Sequence, residues 1–387
     1  MSDISQLPHD PLTPLDPGQE QLPDTESRSL WQTALMRLKK NRAAMVAIFT
    51  LLLLTLAGIF GPMVVPNHYA QVFPEYVKTP ASLEAYPRAD EIVPAAEDAL
   101  RRARMELGEI TVEGGKVTIP VTSAREIDPR YARYLERAND FSNAEFTEIA
   151  SDGLSGTLTA DVAQNYFFFG TDANGRDLLS RTLIALRVSL IIGALATAVA
   201  LVIGVTYGSI AGFVGGRVDN VMMRFVDILY SLPFIFFVIL LVVFFGRNLA
   251  LMFVAVGCVE WLDMARIVRG QTISLRRREF VQAAEALGVR SRGILRRHIV
   301  PNTLGPVIIY MTLLIPKVIL LESFLSFLGL GVQEPLTSLG VLISEGARNM
   351  RGAPYMLIFP AATLTVLLFA LNFIGDGLRD ALDPKDR

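Results

Sequence analysis

Apolar residues in this chain of 387 gather into long blocks rather than recurring once per helical turn as on a soluble helix's buried face. Residues 43–65 carry no charge, and about 20 apolar residues cross a bilayer as helix. Five further blocks follow a long gap, at 186–213, 226–245, 249–264, 304–328 and 355–374. Asp227 and Pro233 interrupt the third block, Glu260 and Asp263 lie near the end of the fourth, and Lys317 and Glu322 sit inside the fifth. The pattern predicts an all-α transmembrane bundle of six helices. The first block runs into Gly61-Pro62 instead of a small-residue cleavage site, so it reads as an uncleaved anchor. Residues 1–28, rich in Pro, Asp, Gln and Ser, are expected to form a disordered cytoplasmic tail, and 29–42 a short basic amphipathic helix at the membrane surface.

Arginine and lysine favour the cytoplasmic side of a membrane. Arg37, Lys39, Lys40 and Arg42 precede the first block, and the loop 266–298 holds nine arginines against Glu279 and Glu285. Six spans place both segments, and both chain termini, inside. The gap 66–165 then falls outside, and its ten basic and seventeen acidic residues suit translocated sequence. Arg176, Arg181 and Arg187 are on the outer side against the rule, and interfacial snorkelling is the expected reason.

The gap itself predicts a small folded α+β module. Residues 109–121 alternate apolar and polar on both sides of Gly114-Gly115, a hairpin signal, and 95–107, 128–138 and 143–150 read as short helices. Composition adds mainly exclusions. A net charge of −2 argues against a nucleic-acid partner, the single Cys258 allows no internal disulfide, and three scattered histidines have no metal-ligand spacing. No phosphate-binding loop of the G-x-x-x-x-G-K-[ST] type occurs, so any ATP that drives this protein is hydrolysed by a partner.

The arginine-rich loop carries the most informative motif, EFVQAAEALGVRSRGILRRHIVPN at 279–302. Residues 279–287 favour helix, Gly288 permits a stop, and 291–299 can form a second short helix ended by Pro301. Such a helix–turn–helix, projecting from a bundle, can seat in a cleft of a soluble partner and pass on its movement. The loop resembles the cytoplasmic motif of ATP-binding-cassette importer permeases, with Ala283, Ala284, Gly288 and Pro301 at matching positions. Gln282 stands for that motif's Glu, His298 for its Ile and Val300 for its Leu, while Glu279 and Glu285 lie one turn to either side. GTDANGRDLLSR (170–181), WLDMARIVRGQ (261–271), ESFLSFLGLGVQEP (322–335) and FIGDGLRDALDPKDR (373–387) are similar to bacterial oligopeptide and dipeptide permeases, nearest to their C-type subunits.

The resemblance implies the type I importer permease fold in the bacterial inner membrane, with the permease core at 166–387 and the coupling loop at 266–303. It implies a second, B-type permease, two ATPase subunits that bind ATP and Mg, and a periplasmic binding protein that delivers peptide. This chain would have no catalytic residue, cofactor or metal of its own. Relatives that carry dipeptides, nickel, glutathione or antimicrobial peptides are the near alternatives. The distant alternatives are an ion-coupled secondary transporter, which would need no arginine-rich coupling loop, and a membrane assembly protein with the external module as its working part. Read from the residues alone, Gly204, Gly208, Gly212 and Gly216 recur every four positions and predict a close helix–helix seam. Lys317 and Glu322 are five apart, about 140° round a helix, so each is expected to face a cavity, the translocation path or another subunit rather than its neighbour.

Overall fold

The computed structural model describes residues 30–233, 236–237, 239–240, 244 and 249–382. Four of its helices are long and apolar enough to cross a membrane. They are α2 (Arg42–Val64), α5 (Leu178–Val214), α9 (Ser291–Phe327) and α11 (Tyr355–Leu382). Helix α1 (Leu30–Lys40) precedes α2, where Asn41 breaks the helix and its side chain accepts the Ala44 amide at 3.1 Å. The expected tail at 1–28 lies outside the described residues.

The remaining two expected spans differ in form. Helix α6 (Gly216–Ser231) is amphipathic and begins ten residues before the apolar block; it ends at Leu232, before Pro233, and much of the rest of that block lies outside the described residues. Helix α7 (Leu249–Arg276) runs twelve residues past the block read from the sequence and includes Glu260, Asp263, Arg266 and Arg269. Helix α5 starts eight residues early because Asp177 caps it, its carboxylate accepting the Ser180 amide at 2.8 Å. A short helix with no span-length signal, α10 (Leu339–Asn349), is capped by Ser338 and packs on α11.

The bundle core lies between α5, α7 and α9, around Ile192, Ala196, Val256, Leu262, Leu314 and Val318. A second cluster joins α5 and α9 to α10 and α11 through Leu186, Ile319, Leu342 and Leu367. The α5–α7 seam is set by missing side chains. A Cβ on Gly204 would lie 2.6 Å from Met264 Cβ, one on Gly212 2.7 Å from the Arg269 carbonyl oxygen, and one on Gly208 closer still to the Ala265 carbonyl. Gly216 does not belong to this row: α5 ends at Val214, and Gly216 opens α6 with free space around it. Gly257 answers from α7, where a Cβ would meet Val199 Cβ at 2.9 Å.

The insertion at 66–165 is a small α+β unit. Strands β2 (Glu106–Leu107), β4 (Lys116–Thr122), β6 (Ser155–Val162) and β5 (Phe141–Ile149) form an antiparallel sheet in that order, and β3 (Thr111–Glu113) also pairs with β4. One sheet face, with Val117, Ile119, Val121, Leu158 and Ala160, packs on α3 (Ile92–Leu100) and α4 (Ala132–Glu136). Gly114 and Gly115, both at positive φ, join Glu113 to Lys116 in a two-residue hairpin as read from the sequence. The expected helix at 143–150 is instead most of β5. Its residues tolerate helix, but Phe141, Ala144 and Phe146 turn toward the shared core while β6 supplies the backbone partners, so tertiary pairing overrides propensity. The unit's base is a pair of short strands, β1 (Ala85–Tyr86) and β7 (Asn165–Tyr166), beside an aromatic cluster of Phe73, Tyr76, Tyr86 and Phe167.

Candidate functional site

The arginine-rich end of the bundle is built around α8 (Glu279–Ala286). Val281 and Ala284 are buried one turn apart and join Phe213 of α5, Ile294 and Ile299 in a small core. That contact seats α8 on the end of α5. Gly288, at φ +74, ends the helix: the Val289 amide donates back to the Ala284 carbonyl and the Gly288 amide to that of Glu285. A side chain there would be strained, which explains glycine at this position. The opposite face is bare. Glu279, Gln282, Ala283 and Glu285 are exposed, and Leu287 is 84% exposed at the tip. The Gln282 side-chain amide donates to the nearby Arg277 carbonyl, at 3.4 Å.

The second helix of this motif is longer than expected. Pro301 does not stop it. A π-helical turn over Leu295–Ile299 shifts the ladder, with the Val300 amide donating to the Leu295 carbonyl, and the helix continues through Pro301 to Phe327. A single rod therefore runs from the arginine-rich end to the middle of the bundle. His298 lies 6.4 Å from Phe280 of α8, ring centre to ring centre, and its carbonyl accepts the Asn302 side chain. Ion pairs brace the neighbouring helix ends: Arg269 grips Asp219 through two nitrogens at 2.5 and 2.6 Å, and Arg266 reaches Asp227 at 2.9 Å.

Midway along the bundle, a cavity of about 810 Å³ opens between α6, α7 and α9. Its walls are mostly apolar, with Phe225, Leu229, Trp261 and Leu320 among them. Lys317 enters it from α9 and donates to Glu260 at 2.7 Å and to Asp263 at 3.2 Å, both on α7. Glu322 is elsewhere. It is fully buried and accepts hydroxyls from Ser326 at 2.7 Å, Ser338 at 2.6 Å and Ser189 at 3.5 Å, so it ties α9 to α5 and to the cap of α10. The structure thus brings Lys317 to the cavity and keeps Glu322 apart from it. The two acids that answer Lys317 were visible in the sequence only as charges near the end of a weak apolar block.

The three arginines at the other end each find partners within the protein, Arg176 and Arg181 buried and Arg187 half-buried. Arg181 is 1% exposed and pairs with Asp172 and, at 3.3 Å, with Glu345 of α10. Arg176 pairs with Asp172 at 2.8 Å and Glu334 at 2.9 Å. Arg187 donates to the Gly58 and Ile59 carbonyls of α2 at 2.8 and 2.6 Å. Burial alone would raise the Asp172 carboxyl's pKa, yet the Arg181 and Arg176 charges hold it below the usual range. This network links the GTDANGRDLLSR segment to α10, and nothing in the local sequence names its distant partners.

Comparison with known proteins identifies a family. The pattern of the binding-protein-dependent transport system inner membrane components matches residues 204–387, and that of the N-terminal transmembrane domain of oligopeptide transport permease C matches 29–81. An oligopeptide transport system permease protein of Haemophilus influenzae is 58% identical over 228 residues, 59% of this chain and 73% of that protein. The chain belongs to this permease family. Its Escherichia coli relative of the same name is 63% identical over 220 residues, 57% of this chain and 73% of that protein. A dipeptide transport system permease protein of Lactococcus lactis is 33% identical over 357 residues, 92% of this chain and 91% of that protein. A solved structure of the MetNI methionine ABC transporter is 16% identical with a TM-score of 0.41, over 53% of this chain and 96% of that chain. As a member of the permease family with four span-length apolar helices, this is a multi-pass membrane protein.

Proposed function

We propose that this permease is the C-type subunit of an ATP-driven importer that carries oligopeptides across a bacterial inner membrane. The observation that carries the reading is α8, anchored on one face by Val281 and Ala284 and bare on the other. A helix fixed to the bundle and exposed at its end is suited to follow a moving partner. The names of the relatives at 58% and 63% identity support oligopeptides as cargo. In this reading the chain is a type I importer permease of six spans, of which α2, α5, α7, α9 and α11 are five. Both termini and α8 are cytoplasmic, and the insertion at 66–165 is periplasmic, where it contacts the binding protein. A B-type permease pairs with this chain, and two ATPase subunits hold ATP and Mg. Closure of the ATPases draws α8 and the rod behind it, rocking the permeases between inward- and outward-facing states. A second reading, dipeptides as cargo, is favoured by the lactococcal relative, whose match spans the insertion.

The test is ATPase activity of the complex in lipid, with and without loaded binding protein, for wild type and Leu287→Asp. Leu287 touches little of its own chain, so the variant is expected to fold and reach the membrane while losing most of the stimulation. Full stimulation in the variant, or no ATPase bound to the chain at all, rejects the reading.

A further inference from the structure

The cavity beside Lys317 has an unbalanced charge. Among its described lining residues the charged ones are Glu260, Asp263 and Lys317: two carboxylates and one ammonium. The next charges along α7 toward the arginine-rich end, Arg266 with Asp227, already balance each other at 2.9 Å. Among the described residues one more carboxylate than ammonium therefore faces a mostly apolar space within the bundle, where an uncompensated charge is costly. The two acids are not equivalent. Glu260 is 4% exposed and holds Lys317 at 2.7 Å, whereas Asp263 is 29% exposed and reaches it only at 3.2 Å. Asp263 is the weaker partner and the accessible one. Phe225, Tyr230 and Trp261 line the same space and give it an aromatic wall.

We propose that Asp263 is a binding site for a primary ammonium group, and that Lys317 and Glu260 position it. Resting on the peptide-import reading, this assigns the amino terminus of the passing peptide, or a lysine side chain, to the Asp263 carboxylate. The incoming ammonium replaces the long contact to Lys317, which stays on Glu260, and the cavity becomes neutral. Lys317 keeps the resting site from binding a cation too tightly to release it, since its ammonium competes for the same oxygen.

The test uses the complete complex in proteoliposomes with saturating binding protein. The probes are trialanine, N-acetyl-trialanine and N-acetyl-Ala-Lys-Ala. Each probe is compared between variants, so any preference of the binding protein itself cancels. Asp263→Asn is expected to lower trialanine transport about tenfold, the effect of one charge-assisted hydrogen bond, and to change N-acetyl-trialanine less than twofold. N-acetyl-Ala-Lys-Ala falling with trialanine identifies any ammonium as the ligand; its staying with N-acetyl-trialanine restricts the site to the amino terminus, and both outcomes support it. An equal fall for all three probes makes Asp263 structural and overturns the proposal. If Asp263→Asn does not assemble, Lys317→Met is the readout. With two carboxylates left, trialanine is held more tightly and released more slowly, so its transport must fall relative to that of its acetylated form, and an unchanged ratio overturns the site. Wild type that accumulates none of the probes rejects the peptide-import reading instead, so the two failures are distinct.

Discussion

The α5–α7 seam makes a sharp prediction, because one substitution should have opposite signs at two glycines on the two helices. At Gly208 a Cβ would collide with the Ala265 carbonyl and stand 3.0 Å from both the Arg269 amide nitrogen and Val268 Cβ. Two of these three neighbours are backbone, so no rotamer change relieves them and the helices must part by several tenths of an ångström. Overpacking of this kind costs about 1–3 kcal/mol. At Gly270, on α7 itself, a Cβ meets nothing within 4 Å. Gly270→Ala there gains helix propensity and restricts the unfolded chain, about 0.5–1 kcal/mol in favour of folding. The expected order of thermal stability is Gly270→Ala above wild type above Gly208→Ala. At about 2–4 °C per kcal/mol the two variants are resolvable by thermal unfolding of the purified complex in detergent. A Gly208→Ala protein as stable as wild type would refute the close approach of α5 and α7.

Other predictions address the ends of the bundle and the insertion. Arg181→Met leaves Asp172 buried with only Arg176 beside it, a loss of about 3–5 kcal/mol that should appear as a lower unfolding temperature, and a surface-like change of under 1 kcal/mol would contradict the buried network. Asp140 is 2% exposed and accepts the Tyr76 hydroxyl at 2.5 Å; burial raises its carboxyl to about 6 from 3.8, against the opposing hydrogen bond. A raised carboxyl favours the protonated form in the folded state, so its stabilising effect is complete below pH 3.8 and lost as pH rises through about 6. Asp140→Asn should therefore stabilise the insertion by about 2–3 kcal/mol at pH 7 and remove that pH dependence, read by amide hydrogen exchange in β4 and β6 of the intact protein. Because Ala85 and Tyr86 pair with Tyr166 and Asn165, residues 88–163 can be replaced by a short linker between the two strands, with loss of the Tyr76–Asp140 hydrogen bond. The shortened chain should insert and hydrolyse ATP with its partners but respond poorly to the binding protein, and an unchanged response removes the insertion from that contact.

What could be read along the chain and what could not divides by the range of the interaction. The first, second, fifth and sixth apolar blocks became helices because crossing a bilayer depends on local composition, and the Gly114-Gly115 hairpin formed because two positive φ angles are a local requirement. Residues 143–150 went the other way: their partner strand begins at Ser155, and the exposed side of β5 carries the helix-tolerant residues that misled the pattern. Glu322 is answered by three serines, the residue type with the weakest signature of all. Arg176 and Arg181 reach Glu334 and Glu345 across 158 and 164 positions, and Lys317 reaches Glu260 across 57. In each case the sequence marks a charge in an apolar setting, which implies a partner without naming it. The marks can still be counted. Among the described residues that line the cavity, Glu260, Asp263 and Lys317 leave one carboxylate in excess, and that excess, rather than any single contact, is what an ammonium-bearing cargo would meet.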